Sequence, residues 1–154
     1  MAIRAYSVLS TKQTKITLDN RKLEKLAKEL PEKAYKVVRQ VAFNGEGYAK
    51  MRARVDTSAM QNSIHVVTSQ GETDYEKAAA AAQSAASGRG KTINLTQVPK
   101  PEGKIAASWG PAVDYSIWIE FGTSRMPAYP FMYPSAVLAE KDLIKLLKEE
   151  LLKG

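Results

Sequence analysis

The sequence predicts an α+β fold, in which helices from the N-terminal third and from the C-terminus pack on a small, mostly antiparallel sheet. Three observations support this class. Helical periodicity fills much of the first third of the chain, and a second amphipathic stretch forms its C-terminal end. Two short strand-like runs lie between these helical parts. The strands are too few and too close together for βαβ units, so they are expected to pair antiparallel.

The composition indicates one globular domain over residues 1–154. Hydrophobic residues make up 44% of the chain, an ordinary globular proportion. There is no cysteine, which excludes disulfides, thiolate metal sites and cysteine nucleophiles and favours a reducing compartment. The first residues lack the apolar core of a signal peptide, and no run approaches the length of a membrane span. We therefore expect no contact with a membrane.

The first third of the chain is predicted to be helical after an N-terminal arm at 1–18, in which Ala2–Leu9 is a weak strand. Apolar residues at helical spacing predict a helix over 21–30. Pro31 fits the first position of a second, longer helix that reaches about Arg54. The apolar stripe of that helix is Ala34, Val38, Val41, Ala42, Gly45, Tyr48 and Ala49.

The β-branched run Ile64–Thr68 predicts one strand of the sheet, and Ile105–Trp109 is expected to be the other. Gly110 and Pro111 are expected to end the second strand. The stretch 71–104 between the strands has low apolar content, so we expect a long mobile loop that orders against partners and acts as an assembly arm. Its alanine-rich part, Tyr75–Ala86, also fits a helix that Gly88 would end.

The C-terminal third contains one ambiguous element and one clear helix. Tyr115–Phe121 fits both the alternation of a strand and a helical turn, and Gly122 suits a left-handed cap if the turn is helical. Pro134 is expected to open the last helix, which runs to about Leu152 and covers the sheet or another helix. Its stripe is Ala136, Leu143, Ile144, Leu147 and Leu151.

The net charge of +7 is concentrated at one end of the chain. Residues 1–55 hold 13 Lys and Arg against 5 Asp and Glu, and the remainder is close to neutral. On the long helix, Lys36, Arg39, Lys50 and Arg54 lie opposite the apolar stripe, and Phe43 projects among them. This face is either a solvated surface or the contact for an acidic partner. DNA and a protein neighbour are both open, and Phe43 favours protein because a duplex backbone offers no apolar pocket.

Residues that could carry catalysis or hold a metal are sparse. His65 is the only histidine and fits a packed strand residue. The string GKT at residues 90–92 ends like a phosphate loop, but Ala85 stands where that motif needs glycine. Asp114 and Glu120 flank a short element without a second pair. We expect no enzymatic activity, no cofactor and no metal.

Two segments resemble the minor tail-component, or neck, family of long-tailed bacteriophages. Val55–Ile64 reads VDTSAMQNSI and is similar to the family's turn after its long helix. Asp114–Ala136 reads DYSIWIEFGTSRMPAYPFMYPSA and is similar to the family's Glu-Phe-Gly-Thr motif with the proline-aromatic loop that follows. Ser58 stands where the family has glycine, and Ser135 departs from the usual Pro-Ala junction. Two smaller departures are Ala53-Arg54 in place of a nearby proline and Met60 in place of leucine.

The resemblance implies a non-enzymatic virion protein, assembled in the host bacterial cytoplasm, that forms a homo-oligomeric ring at the head–tail junction. Such a ring would contact the connector or stopper and the tail-tube proteins, and phage DNA would pass through its lumen without sequence specificity. Rigid aromatic contacts in the proline loop would face neighbours or, alternatively, seal the last helix onto its own domain. The candidate interface residues are Lys36, Arg39, Phe43, Lys50, Arg54, Trp118, Arg125, Tyr129, Phe131 and Tyr133.

Two other functions stay open at this level. A small basic nucleic-acid-binding module would use the cationic helix face. A nucleotide-handling enzyme would use Lys91.

Overall fold

A computed structural model describes residues 21–54 and 58–152. The fold is α+β, as predicted, with a two-stranded antiparallel sheet between a long first helix and a long last helix. The expected arm at 1–18 lies outside the described residues. The elements are α1 (Arg21–Arg52), α2 (Ala59–Ser63), β1 (Ile64–Thr68), α3 (Tyr75–Ser87), β2 (Ala107–Pro111), α4 (Ser116–Phe121) and α5 (Met132–Leu152).

The prediction of two helices in the first third is wrong, because α1 continues through Pro31 as one helix of 32 residues. A proline in a helix removes one amide donor and crowds the carbonyl four residues earlier, here that of Ala27. Both residues are exposed, so water can solvate the carbonyl that loses its amide partner. The apolar stripe that follows packs along the rest of the helix and outweighs this local cost.

The sheet pairs β1 with β2 antiparallel, with Ile64 opposite Pro111 and Thr68 opposite Ala107. The first strand has its predicted bounds, whereas the second lies two residues further along than expected. Gly110 therefore lies inside β2, and the strand ends at Pro111. Proline is tolerated there because it is the last residue of the strand and is not required to donate to β1.

The main core lies where α1, α2 and the sheet meet. Phe131 and Ile64 are fully buried and pack with Ala49, Met60 and Val113. The sheet approaches α1 closely because the helix has a glycine at the contact. A Cβ atom on Gly45 would lie 2.6 Å from the Trp109 ring, so Gly45 is needed for packing rather than for bending.

The last helix packs along α1. Val37 and Val41 contact Ala139, and leucines at 143, 146 and 147 extend the contact. Asp142 ties the two helices together by accepting from Asn44 Nδ2 at 2.9 Å and from the Tyr48 hydroxyl at 2.7 Å. Ala136 and Ile144 were expected on the buried stripe but are exposed, because the face turned to α1 is centred on Ala139 and Asp142.

The stretch 71–104 contains α3, as the helical alternative predicted. Ala78, Ala82 and Ala86 recur every four residues and are buried, since small side chains let a helix approach its neighbours closely. Beyond Gly88 the chain is irregular, but Leu95 forms an isolated bridge with Val113. The expected mobility of this stretch and its role as an assembly arm stay predictions.

Ser58 takes the left-handed conformation that the family's glycine suggests, with φ of 60°. The first turn of α2 begins there, and the Asn62 amide donates to the Ser58 carbonyl at 2.9 Å. A non-glycine residue pays about 1–2 kcal/mol for this backbone geometry. The family turn is therefore kept here at an energetic cost.

Candidate protein interface

The connection between α4 and α5 is organised by the carboxylate of Glu120. It accepts from the backbone amides of Phe131, Met132 and Tyr133 at 2.8, 2.9 and 3.0 Å. These amides open α5 and have no partner within the helix. A carboxylate at this end also interacts favourably with the helix dipole. Glu120 thus serves as a cap supplied by another helix, and it locks α4 against the start of α5.

Gly122 allows the chain to leave α4 sharply. Its φ of 76° and ψ of −179° lie in a region that only glycine enters freely, and they differ from the left-handed cap that was expected. A Cβ atom there would lie 2.7 Å from Ala128 N and 2.8 Å from Met126 O. Thr123 then closes the turn, because its amide donates to the Met126 carbonyl at 2.8 Å and its hydroxyl accepts from the Arg125 amide at 3.2 Å.

This corner opens onto an apolar groove of about 630 Å³. One wall is β2, and the other is formed by α4 and the start of α5, with Ile117, Phe121 and Tyr133. We call these three side chains the aromatic corner. Phe121 is 77% exposed and Tyr133 is 73% exposed. Large apolar side chains gathered along one groove are typical of protein interaction sites.

The residues expected from the proline-aromatic loop fall into two groups. Trp118 and Tyr129 are exposed, as a partner contact requires, and so is Arg125. Phe131 is fully buried in the core, so its assignment to an interface is wrong. The loop turns inward at this residue because Glu120 binds its amide. Phe131 therefore seals α5 onto the domain, which was the alternative reading of its role.

Ile117 and Phe121 were not among the expected interface residues. Their spacing of four places both side chains on one face of a helical turn, but this signal had meaning only if the ambiguous segment was helical. Likewise, Glu120 gave no sequence signal of capping, since the amides it binds lie 11 to 13 residues further along the chain.

The cationic face of α1 is largely paired within the chain. Arg39 forms an ion pair with Glu72, and its guanidinium carbon lies 5.1 Å from the centre of the Phe43 ring. Lys50 forms an ion pair with Glu46. These cations therefore face acidic groups of their own domain. The spacing of four residues between Glu46 and Lys50 is visible in the sequence, whereas the pairing of Arg39 with Glu72 is not. Their expected contact with a partner stays a prediction, and such a partner would have to compete with Glu72 and Glu46 for these cations.

We call this network the polar seam; it comprises Arg39, Glu46, Lys50, Glu72 and Asp74. Burial raises the pKa of the Glu46 carboxyl above its ordinary value, Lys50 lowers it, and Asp74 raises it further. Asp74 Oδ1 also accepts from the Val66 amide at 2.9 Å, so the seam ties α1 to β1 and to the start of α3.

Two further cations of the expected face have different surroundings. The Arg54 guanidinium carbon lies 4.4 Å from the centre of the Tyr129 ring, a cation–π contact within the domain. Lys36 is exposed and lines a shallow groove between α1 and α5 that also contains Glu149 and Glu150.

The remaining candidate groups have structural surroundings. His65 is fully buried; its Nε2 accepts from the Val98 amide at 3.1 Å, so Nδ1 carries the proton and donates to the Ser63 carbonyl at 3.0 Å. Lys91 follows the end of α3 rather than a strand, so the phosphate-loop context is missing. No group of three potential metal ligands occurs within 21–54 and 58–152. None of the helices in these two ranges could span a membrane.

Comparison with known proteins identifies the class. The model of the family described as "Bacteriophage HK97-gp10, putative tail-component" matches residues 20–122, which is more than half of the chain. The chain therefore belongs to this family of tail components of the phage virion. The match runs from the start of α1 through the Glu-Phe-Gly motif and confirms the family resemblance. No curated protein matches the sequence, and no solved structure does.

Proposed function

We propose that this tail component is a subunit of a homo-oligomeric ring at the phage head–tail junction, where neck, tail-completion and tail-terminator proteins lie. The ring joins the connector or stopper to the tail tube, and DNA passes through its lumen without sequence specificity. Its role is structural rather than enzymatic. It is assembled in the host bacterial cytoplasm and retained in the virion.

The aromatic corner is the observation that supports this proposal most directly. A small domain that functioned alone would gain stability by burying Phe121 and Tyr133, yet Glu120 and Gly122 hold the connection so that both remain exposed. Burying apolar area contributes about 25 cal/mol per Å², so a neighbour that covers this groove gains affinity. Trp118, Tyr129 and the stretch 71–104 are further candidate contacts of the same ring.

The nucleic-acid-binding alternative has less support. Arg39 and Lys50 already have acidic partners, and phosphate binding would have to break those ion pairs. A strong grip on phosphates would also oppose the passage of a genome through a lumen, because each neutralised phosphate adds affinity.

The test is complementation of a phage that lacks this gene. Phe121→Ser should reduce the yield of infectious tailed particles at least tenfold while the purified subunit keeps its circular dichroism spectrum. Met51→Ser is the matched control, since Met51 is equally exposed on α1 and outside the groove. Equal yields from the two variants would contradict the proposal. Retention of DNA by the free subunit at physiological salt would support the nucleic-acid-binding alternative instead.

A further inference from the structure

The outer edge of β2 has unpaired main-chain groups. Ser69 N donates to the Ala106 carbonyl, and Ala112 N donates to the Ser63 carbonyl. These two bonds fix the alternation of the antiparallel ladder. The main-chain groups of Ala107 consequently point away from β1, as do those of Trp109 and the carbonyl of Pro111. No residue within 21–54 and 58–152 forms a hydrogen bond with these outward groups.

The opposite edge of the sheet is closed by the chain itself. The amide of Thr68 donates to the Glu72 carbonyl at 2.9 Å, and the amide of Val66 donates to Asp74 Oδ1. Thr73 forms a bridge with Val67. Within the described parts of the chain, only β2 offers a free edge to an added strand.

The free edge and the apolar groove occupy the same place. Ala107, Trp109 and Pro111 line the groove, and the aromatic corner lies across from them. A main-chain edge beside an apolar pocket is the arrangement that receives an extended segment, because the backbone pairs with the edge while alternate side chains enter the pocket. An unprotected edge is otherwise a hazard for aggregation. The shape of the site therefore specifies an extended chain rather than a helix.

We propose that this groove receives residues Ala2–Leu9 of a neighbouring copy, which pair with β2 as an added strand. The inference rests on the proposed ring. In an extended chain, one side of Ala2–Leu9 would carry Ile3, Ala5, Ser7 and Leu9, and the other side would carry Ala2, Arg4, Tyr6 and Val8. The first side is apolar apart from Ser7 and suits the groove, whereas the second side carries the one charged residue of the segment, Arg4.

The length of chain before Arg21 is sufficient for the segment to reach this groove. The groove lies beside Gly45, about 36 Å along α1 from Arg21 at 1.5 Å per residue. Twenty residues precede Arg21, and an extended chain of that length reaches about 66 Å. That reach exceeds the distance along α1, and the choice of a neighbouring copy as the donor rests on the proposed ring. Head-to-tail contacts of this kind are the ones that close into rings.

The first experiment maps the occupant by photo-crosslinking. A benzophenone amino acid replaces Phe121 in the full chain, particles assemble in cells, and irradiated products are separated by mass. We expect a band at twice the subunit mass of 16.9 kDa, with the cross-link in the peptide before Lys12. A cross-link at subunit mass, to another protein or to another region of the partner copy would overturn the proposal. The native mass of the assembly, measured separately, tests the ring itself; its absence would overturn both.

The second experiment removes one outward donor from the edge. Ala107→Pro lacks the amide that would pair with the added strand, while the ladder to β1 does not use that amide. Ala107→Val is the matched control. We expect a folded subunit with at least tenfold less ring at equal concentration, and normal ring formation by the control. If Ala107→Pro does not fold, ring formation is compared between two variants of the N-terminal segment. Leu9→Asp is the test variant and Ser10→Asp is its control. Equal ring formation within the pair would overturn the proposal.

Discussion

The aromatic corner and the polar seam differ in what they leave for a partner. In the seam, Arg39 and Lys50 each meet a carboxylate of the same domain, so their charge is already largely compensated. In the corner, Phe121 and Tyr133 have no such internal partner surface and remain exposed. The sequence suggested an interface for Arg39 and Lys50 of the seam and for Tyr133 of the corner, but not for Phe121. The structure shows that the cationic face is used internally, whereas the apolar side chains of the corner stay exposed.

The largest effect is expected at the turn that shapes the corner. Gly122→Ala should lower the free energy of unfolding by about 3 kcal/mol or more, because the new Cβ meets two backbone atoms and φ is positive. Urea unfolding measures it. Gly47→Ala is the control. That glycine lies exposed in α1, and a Cβ atom there would have nothing within 4 Å, so alanine should raise the free energy of unfolding by about 1 kcal/mol. Equal effects would mean that the turn is not specified by glycine.

The next effect concerns the carboxylate that joins α4 to α5. Glu120→Ala should cost about 2–3 kcal/mol, since three amides at the start of α5 lose their acceptor. Glu120→Gln should recover part of this loss because its side-chain oxygen still accepts. Glu140→Ala, an exposed change further along α5, serves as control. A loss of stability in Glu120→Ala with unchanged particle yield would separate the cap from assembly.

A smaller effect is expected from acid titration of the polar seam. Burial raises the pKa of Glu46 above the unfolded value of 4.5, so the native state binds the proton more tightly. The unfolding free energy of the wild type, relative to Glu46→Gln, should therefore rise as pH falls through the folded pKa and level off below 4.5. Urea unfolding of both chains between pH 7 and pH 4 tests this. A relative loss of wild-type stability in acid would show that Lys50 outweighs burial.

Asp142 gives the opposite pH dependence in both chains of that experiment. The hydrogen bonds from Tyr48 and then Asn44 lower its pKa, so its stabilising contribution is present above the unfolded value and is lost as pH falls through the folded one. Because both chains contain Asp142, its contribution cancels in the difference.

The smallest effect is expected from the exposed ion pair of the seam. Arg39→Ala and Glu72→Ala should each cost less than about 1 kcal/mol, with a coupling energy of about 0.2–1 kcal/mol in a double-mutant cycle, since both side chains are partly solvated. Particle yield should stay near the wild-type level. A tenfold fall in yield for Arg39→Ala would return this face to the list of interfaces and weaken the contrast with the corner.

Local sequence signals determined much of the fold. The periodicity of α1 and α5 and the β-branched run of β1 depend on neighbouring residues, and the outer bounds of these elements were predicted within two residues, although the break expected at Pro31 is absent. A glycine turn was expected at Gly122, but its conformation is not the left-handed cap that was predicted. The resemblance carried by two short segments indicated a phage tail component, and the family match over residues 20–122 confirms that family. The sequence predicts these local features because they depend on residues that are close together in the chain.

Tertiary structure alone decided which candidate side chains are available. Phe131 is buried and Phe121 is exposed because Glu120 reaches amides 11 to 13 residues away, a contact without a local signature. Arg39 finds Glu72 because α1 packs across the end of β1. Pro31 lies within α1 because the packing of the part of α1 that follows it outweighs the local cost of a proline. Partners distant in sequence set these outcomes, so composition and spacing could not predict them.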